Sequence, residues 1–262
     1  MLTGIDHVLI ACVDPDSAAL ELEAAVGLRA SSGGRHEAHG TFNRLIWLGN
    51  SYIELMGVFD DGLAASSWWG RHALHVLSNA RTAGESGGYM GLVLASDDLA
   101  ADADRVRGLG SGLGEPEAGR RRRPDGRDVR WTLSHADAPD PDLGLLFLIE
   151  HDTTAAEWTA EEIAERQAAA HPMDGPAQLV RLEVPVATMN LATMRVHRDV
   201  GVAFRPSLAG AGARDGAVGR QTLRLIRGGH ETTPRLVIRG GSRDRGAALL
   251  GCRWLLDAAS GD

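Results

Sequence analysis

Three polar side chains stand in strand-like runs that are otherwise apolar. They are His7 in Ile5-Asp6-His7-Val8-Leu9-Ile10, Glu54 in Tyr52-Ile53-Glu54-Leu55-Met56, and Glu150 closing Phe147-Leu148-Ile149-Glu150. Taking a carboxylate out of water is costly unless it is paired, hydrogen-bonded or bound to a cation. The two glutamates close two passes of one repeated plan, which suggests one shared site. Strand parity puts His7 on the face of Ile5 and Leu9, and Glu54 on that of Tyr52 and Met56. A structural reading competes on even terms. His7 would then be a satisfied core histidine, and the glutamates would pair with arginines such as Arg44 or Arg130 in a chain whose 27 basic residues are all arginine.

Other residues add to the inventory. His36-Glu37-Ala38-His39 has the wrong spacing for the zinc-protease helix motif and follows Gly33-Gly34, so it reads as loop or strand start. Asn43 in a strand either bonds a ligand or satisfies a neighbouring loop. Arg120 to Arg123 before Pro124-Asp125-Gly126 is a charge run at a turn. It reads first as a solvated loop and second as an anion clamp, since arginine grips carboxylate or phosphate bidentately. Arg130 and Trp131 are neighbours in a strand, so one of them must face inward. Trp68-Trp69 reads as packing for a bridging helix, with a lid as the alternative.

The elements that must position these groups follow a strand, helix, three-strand order. In residues 1–59, Asp14-Pro15-Asp16-Ser17 starts a helix that Gly27 stops, and two strands meet at Gly49-Asn50. Residues 60–88 form a bridge with a helix near 69–80. Residues 89–154 repeat the order, with a helix from about 98 to 109 and last strands at 127–134 and 145–150. In residues 155–262 a polar helix at 155–170 precedes strands near 178–184, 222–227 and 235–239, a degenerate third module, and a last helix at about 245–258.

This order, with Ile5-Asp6-His7-Val8, Gly34-Arg35-His36, Gly40-Thr41-Phe42-Asn43, Tyr52-Ile53-Glu54-Leu55, Arg121-Arg122-Arg123-Pro124-Asp125-Gly126, Arg130-Trp131, Phe147-Leu148-Ile149-Glu150 and His171-Pro172, resembles the vicinal oxygen chelate superfamily. More narrowly it resembles the glyoxalase-like domain family, related to glyoxalase I, extradiol dioxygenases and bleomycin resistance proteins. The resemblance implies an α+β fold of paired βαβββ modules forming a half-open barrel, with a third partial module. It implies a divalent metal (Zn, Mn, Fe or Ni) held by His7, Glu54 and Glu150, with Gly91 at the fourth ligand position. Glu150 and His36 would then move protons, while Asn43, Arg130, Tyr52, Trp47 and Arg122 would hold a small, anionic or vicinal-oxygen substrate. Lyase, isomerase and dioxygenase chemistry all fit that picture. The alternative is a metal-free binding or drug-sequestering protein.

Bulk composition narrows the classes further. A net charge of −8 over 262 residues argues against nucleic acid and anionic membranes as partners. Without lysine there is no Schiff-base or phosphate-loop lysine. Two isolated cysteines, Cys12 and Cys252, make no disulfide framework, so a cytoplasmic setting is expected. The third module is expected to pack on the first two or to pair with a second copy in a homodimer, since an open sheet face invites association.

Overall fold

The structure, a computed structural model, describes residues 1–123, 125–228 and 233–258. Pro124 of the arginine-rich turn and residues 259–262 of the last module lie outside the described residues. The first module is β1 (Leu2–Cys12), α1 (Pro15–Val26), β2 (Ser32–His36), β3 (Thr41–Leu48) and β4 (Ser51–Val58). Asp14 caps α1 by accepting from Asp16 N, and Gly27 ends it at φ 77°. Two bridging helices follow, α2 (Asp61–Ser66) and α3 (Trp68–Ala83). The second module is β5 (Gly87–Ser96), α4 (Leu99–Gly108), β6 (Glu117–Arg122), β7 (Asp128–His135) and β8 (Leu145–His151).

These eight strands close in the order β1-β4-β3-β2-β6-β7-β8-β5. Each module opens and closes on a parallel pair, β1 with β4 and β5 with β8. The modules join through antiparallel β1 and β5 along nearly their whole length, but β2 meets β6 at the pair Arg35 and Arg122 alone. One seam is therefore firm and the other thin, the asymmetry expected of a half-open barrel.

After α5 (Ala160–Ala168) the third module, expected to be partial, has the full βαβββ order. It runs β9 (Ala177–Val186), α6 (Met189–Val200), β10 (Phe204–Pro206), β11 (Ala213–Val218) and β12 (Gln221–Arg227). Three more strands follow without a helix: β13 (Arg235–Gly240), β14 (Arg245–Leu249) and β15 (Cys252–Asp257). All seven C-terminal strands form one sheet, β10-β11-β12-β9-β13-β15-β14. The helix expected at 245–258 is thus a hairpin. Cys252, Trp254 and Leu256 are buried while Arg253 and Asp257 are exposed, an alternation of period two that no helix can use. Leu250 and Gly251, both at positive φ, make its turn.

One apolar core runs through the outer face of the barrel, α1, α4, α6 and the C-terminal sheet, joining Val8, Leu22, Leu92, Leu182, Val196 and Trp254. The third module thus covers its apolar face on the same chain. A second cluster lies inside the barrel, where Ala73 and Leu77 of α3 pack with Leu9, Met56, Met90 and Val93. No helix among the described residues is long and apolar enough to cross a membrane.

Candidate functional site

The interior cavity has a volume of about 70 Å³ and takes its walls from β1, β3, β4, β7 and β8, with Trp68 and Trp69 of α3 across it. Its apolar surface includes Leu9, Leu45, Met56, Trp131 and Phe147, and its polar groups include His7, His36, Asn43, Glu54, Arg121 and His151.

A β-bulge sets the orientation of His7. On β1, Ile5 pairs with Leu94 and His7 with Val93, so Asp6 is an extra residue opposite no partner of its own. Ile5 therefore joins Val8 and Ile10 in the outer core, while Leu9 faces the interior with His7. Simple parity had put Ile5 on the face of His7, and the bulge corrects it. Asp6 and His7 are both buried, and Asp6 bridges two imidazoles. Its Oδ1 lies 2.6 Å from His7 Nδ1 and its Oδ2 3.0 Å from His151 Nε2. Burial works to raise the Asp6 pKa, but the charge and hydrogen bond of His151 and the hydrogen bond of His7 outweigh it. The carboxyl is held well below the usual carboxylate range.

Glu54 faces His7 from the neighbouring strand. Its Oε1 accepts from Asn43 Nδ2 at 2.7 Å, and its Oε2 lies 3.5 Å from His7 Nε2. Asn43 in turn accepts from Gly34 N at 2.8 Å, so the carboxylate is held from behind. Tyr52 stacks on His7 with ring centroids 4.4 Å apart, and burial, with the charges of Asp6 and Glu54, keeps its phenol un-ionised. His36 lies 3.0 Å from Thr41 Oγ1, and burial lowers its pKa to about 4.

Glu150 does not reach the cavity. Along β8, Phe147, Ile149 and His151 face inward, whereas Leu146 and Leu148 share the parity of Glu150 and face the outer core. The Glu150 carboxylate instead accepts from Leu99 N at 2.8 Å, at the N-terminus of α4, where the helix dipole favours an anion. Arg130 points outward to Asp152 at 2.9 Å, with Trp131 taking the inward position. Arg122 is exposed and pairs with Asp128 at 2.6 Å. Its neighbour Arg121 turns in, donating to Glu157 at 2.7 Å and to Gly33 O at 3.1 Å. Trp47 stands behind Tyr52, with ring centroids 4.8 Å apart, and lines a separate side cavity. Of the nine expected site residues, His7, His36, Asn43, Tyr52 and Glu54 come together on the cavity. Arg121, His151 and Glu157 join them on the cavity, and Asp6 supports His7 and His151 from behind it. The adjacent Asp6-His7 and Glu150-His151 pairs were the sequence signals for two of these.

A metal fits this set only halfway. Two ligands 2.1 Å from one ion in tetrahedral geometry lie about 3.4 Å apart, close to the spacing of His7 Nε2 and Glu54 Oε2. The second module offers nothing to match. Leu9 pairs with Glu54 and Val93 with Phe147, so with Gly91 standing for His7, Phe147 stands for Glu54. Gly91 leaves no room for a side chain, since a Cβ there would come 2.4 Å from Leu145 O. Among the described residues no group of three or more His, Cys, Asp or Glu is placed to hold an ion. The residues present do not make the expected ligand set.

A family model described as a glyoxalase-like domain matches residues 5–200. Among solved structures, a hypothetical protein from Staphylococcus aureus aligns at TM-score 0.77 with 15% identity, covering 99% of this chain and 100% of its own. A mutant of 4-hydroxymandelate synthase from Streptomyces coelicolor aligns at TM-score 0.58 with 12% identity, covering 91% of this chain and 71% of its own. These two likenesses concern the fold. No curated protein matches the chain.

Proposed function

The chain belongs to the glyoxalase-like domain family of the vicinal oxygen chelate superfamily, and we propose that it is an enzyme moving protons on a small oxygen-bearing substrate in the interior cavity. The observation that carries this reading is the Glu54–His7 pair, 3.5 Å apart in a pocket walled largely by aromatic side chains. In this reading Glu54 takes a proton from carbon next to a carbonyl, with Asn43 holding its other oxygen in place. His7, oriented by Asp6, returns the proton or donates to the developing oxyanion. A buried carboxylate in apolar walls is the environment in which proton transfer to carbon is driven best.

The substrate would be small and uncharged at its oxygen end. Arg130 and Arg122, the expected counter-charges, lie outside, and Arg121 is engaged by Glu157. The reading does not run through Zn, Mn, Fe or Ni, because the positions of the second module that correspond to His7 and Glu54 hold Gly91 and Phe147 rather than donors.

The test is carbon–hydrogen exchange in heavy water. The protein, purified without chelator, is incubated with a panel of small hydroxyketones, diketones and hydroxy acids and followed by proton NMR. Wild type is expected to wash out the C–H signal beside a carbonyl in at least one compound, with and without EDTA, and Glu54→Gln to lose that activity. Exchange abolished by EDTA and restored by one of the four metals would overturn the metal-free reading in favour of a metal-dependent lyase, isomerase or dioxygenase. No exchange with any compound, together with thermal stabilisation by apolar aromatic ones, would support the sequestering alternative. The aromatic wall of Trp68, Trp69, Trp131 and Phe147 favours that second reading.

A further inference from the structure

Beside the interior cavity, on the far side of Glu157, lies a second one of about 210 Å³ between α5, Trp47 and the arginine-rich turn. Two opposite charges face each other's neighbourhood there with hydrogen-bonding capacity unused. Arg166 sits over Trp47, its guanidinium carbon 3.9 Å from the ring centroid, and 4.9 Å from that of Trp158. All three of its side-chain nitrogens are buried, and none has a hydrogen-bond partner among the described residues. The indoles hold the cation by its attraction to their rings but present no acceptor atom to its N–H groups. Glu157, 4% exposed, accepts from Arg121 at Oε2, while its Oε1 is buried with no hydrogen bond among the described residues. Arg123 Nε approaches that oxygen only to 3.9 Å. Glu157 also holds φ at 70°, a backbone conformation that a residue with a Cβ rarely keeps.

Glu162 and Arg123 in the wall are committed to each other. Glu162 accepts from Arg123 at 2.8 Å and Arg127 at 2.9 Å, and from Glu157 N at 2.7 Å. Leaving a guanidinium and a carboxylate oxygen buried and unbonded is unfavourable, so a guest that bonds both is stabilised. A simple anion would fill Arg166 but face the carboxylates of Glu157, Glu162 and Glu165. A simple cation would fill Glu157 and leave the guanidinium as it is. A carboxylate and an ammonium attached to one carbon satisfy both at once, the carboxylate matching the guanidinium fork bidentately.

We propose that this side cavity is a binding site for a small α-amino acid, with its carboxylate on Arg166 and its ammonium on Glu157 Oε1. The site does not depend on what the interior cavity does, because Glu54 and His7 take no part in it.

Isothermal titration of the full chain with glycine and with alanine tests the site, with acetate and methylammonium as half-ligands. Saturable one-to-one binding of glycine or alanine is expected, with each half-ligand at least tenfold weaker. Arg166→Met, which breaks no hydrogen bond and keeps an apolar stem against Trp47, should weaken glycine binding at least tenfold with an unchanged unfolding midpoint. Glu157→Gln should do the same for glycine while strengthening acetate binding, because one of the carboxylates facing the anion is then uncharged. No binding of either amino acid, acetate binding as tightly as glycine, or Arg166→Met binding like wild type would each overturn the proposal. None of these results alters the heavy-water exchange expected from Glu54.

Discussion

His36 offers the sharpest test of how the cavity treats charge. Burial lowers its pKa from 6.5 to about 4, with Arg121 and His39 acting in the same direction and Glu54 against it. The unfolded chain therefore binds a proton at His36 in a pH range where the folded chain does not. Stability from this residue is complete above the unfolded pKa and drains away as pH falls toward the folded one. A pKa difference of about 2.5 at 1.36 kcal/mol for each sets a ceiling of about 3.4 kcal/mol. Between pH 7 and about pH 4.5, the same two pKa values give a loss of about 2.4 kcal/mol. Part of His36 still reaches water, so this figure is the upper end. The assay is urea unfolding of wild type and His36→Gln at both pH values. Glutamine can keep the hydrogen bond to Thr41 Oγ1 but cannot titrate. Other groups titrate equally in both proteins, so the difference between the two pH slopes isolates His36. Wild type should lose about 2 kcal/mol more than the variant over this interval. Equal slopes would show that the ring is already solvated, and the picture of a dry cavity around Glu54 would fall with it.

Three further outcomes follow from the same geometry. Asp6→Asn removes the anion between His7 and His151 and should cost about 2–4 kcal/mol in urea unfolding at neutral pH; a loss under about 0.5 kcal/mol would mean that the two imidazoles do not depend on it. Gly91→Ala drives a Cβ to 2.4 Å from Leu145 O and should cost about 1–3 kcal/mol, whereas a neutral result would reopen the position to a metal-ligating side chain. Gln221→Leu strips Ile5 N of its 2.6 Å acceptor beside the bulge and should cost about 1–3 kcal/mol; in the exchange assay it should also lower the Glu54-dependent rate, and an unchanged rate would mean that the C-terminal sheet plays no part in aiming His7.

Most of the architecture was legible because it rests on local signals. Asp14-Pro15 and Gly27 bracket α1, and Gly49-Asn50 joins β3 to β4 as turn chemistry requires. The site was legible only where its strands run without interruption. Glu54 lies on a regular strand, and the face that parity gave it with Tyr52 and Met56 is the cavity face, whereas nothing in the sequence chose between the two readings of Asn43. For His7 parity held with Leu9 and failed with Ile5, because the bulge at Asp6 reversed the face of Ile5. A bulge depends on what the partner strand does, and the run Ile5 to Ile10 gives no turn residue to announce it. The hairpin at 245–257 was hidden for a different reason. Alanine and leucine in that stretch suit a helix by propensity, and pairing with β13 overrode it.

The resemblance between the two glutamates misled because a matching last residue is not a matching register. Glu54 lies opposite Leu9, and Phe147 lies opposite Val93, the counterpart of Leu9 in the second module. Glu150 is three residues beyond that point, an odd number, and an odd step along a strand turns a side chain to the other face. There it meets the start of α4, where a carboxylate is useful without any ligand. The second module has thus lost both positions from which a chelating pair would come, Gly91 and Phe147, and has kept the fold around them. What it contributes instead lies four residues further along, where His151 joins Asp6 across the module boundary. The cavity is therefore asymmetric, with the Glu54 carboxylate and the imidazoles of His7 and His36 from one module and aromatic surface with a third imidazole, His151, from the other. That distribution suits one small substrate held in one orientation, with polar contacts at its oxygen end and stacking along the rest.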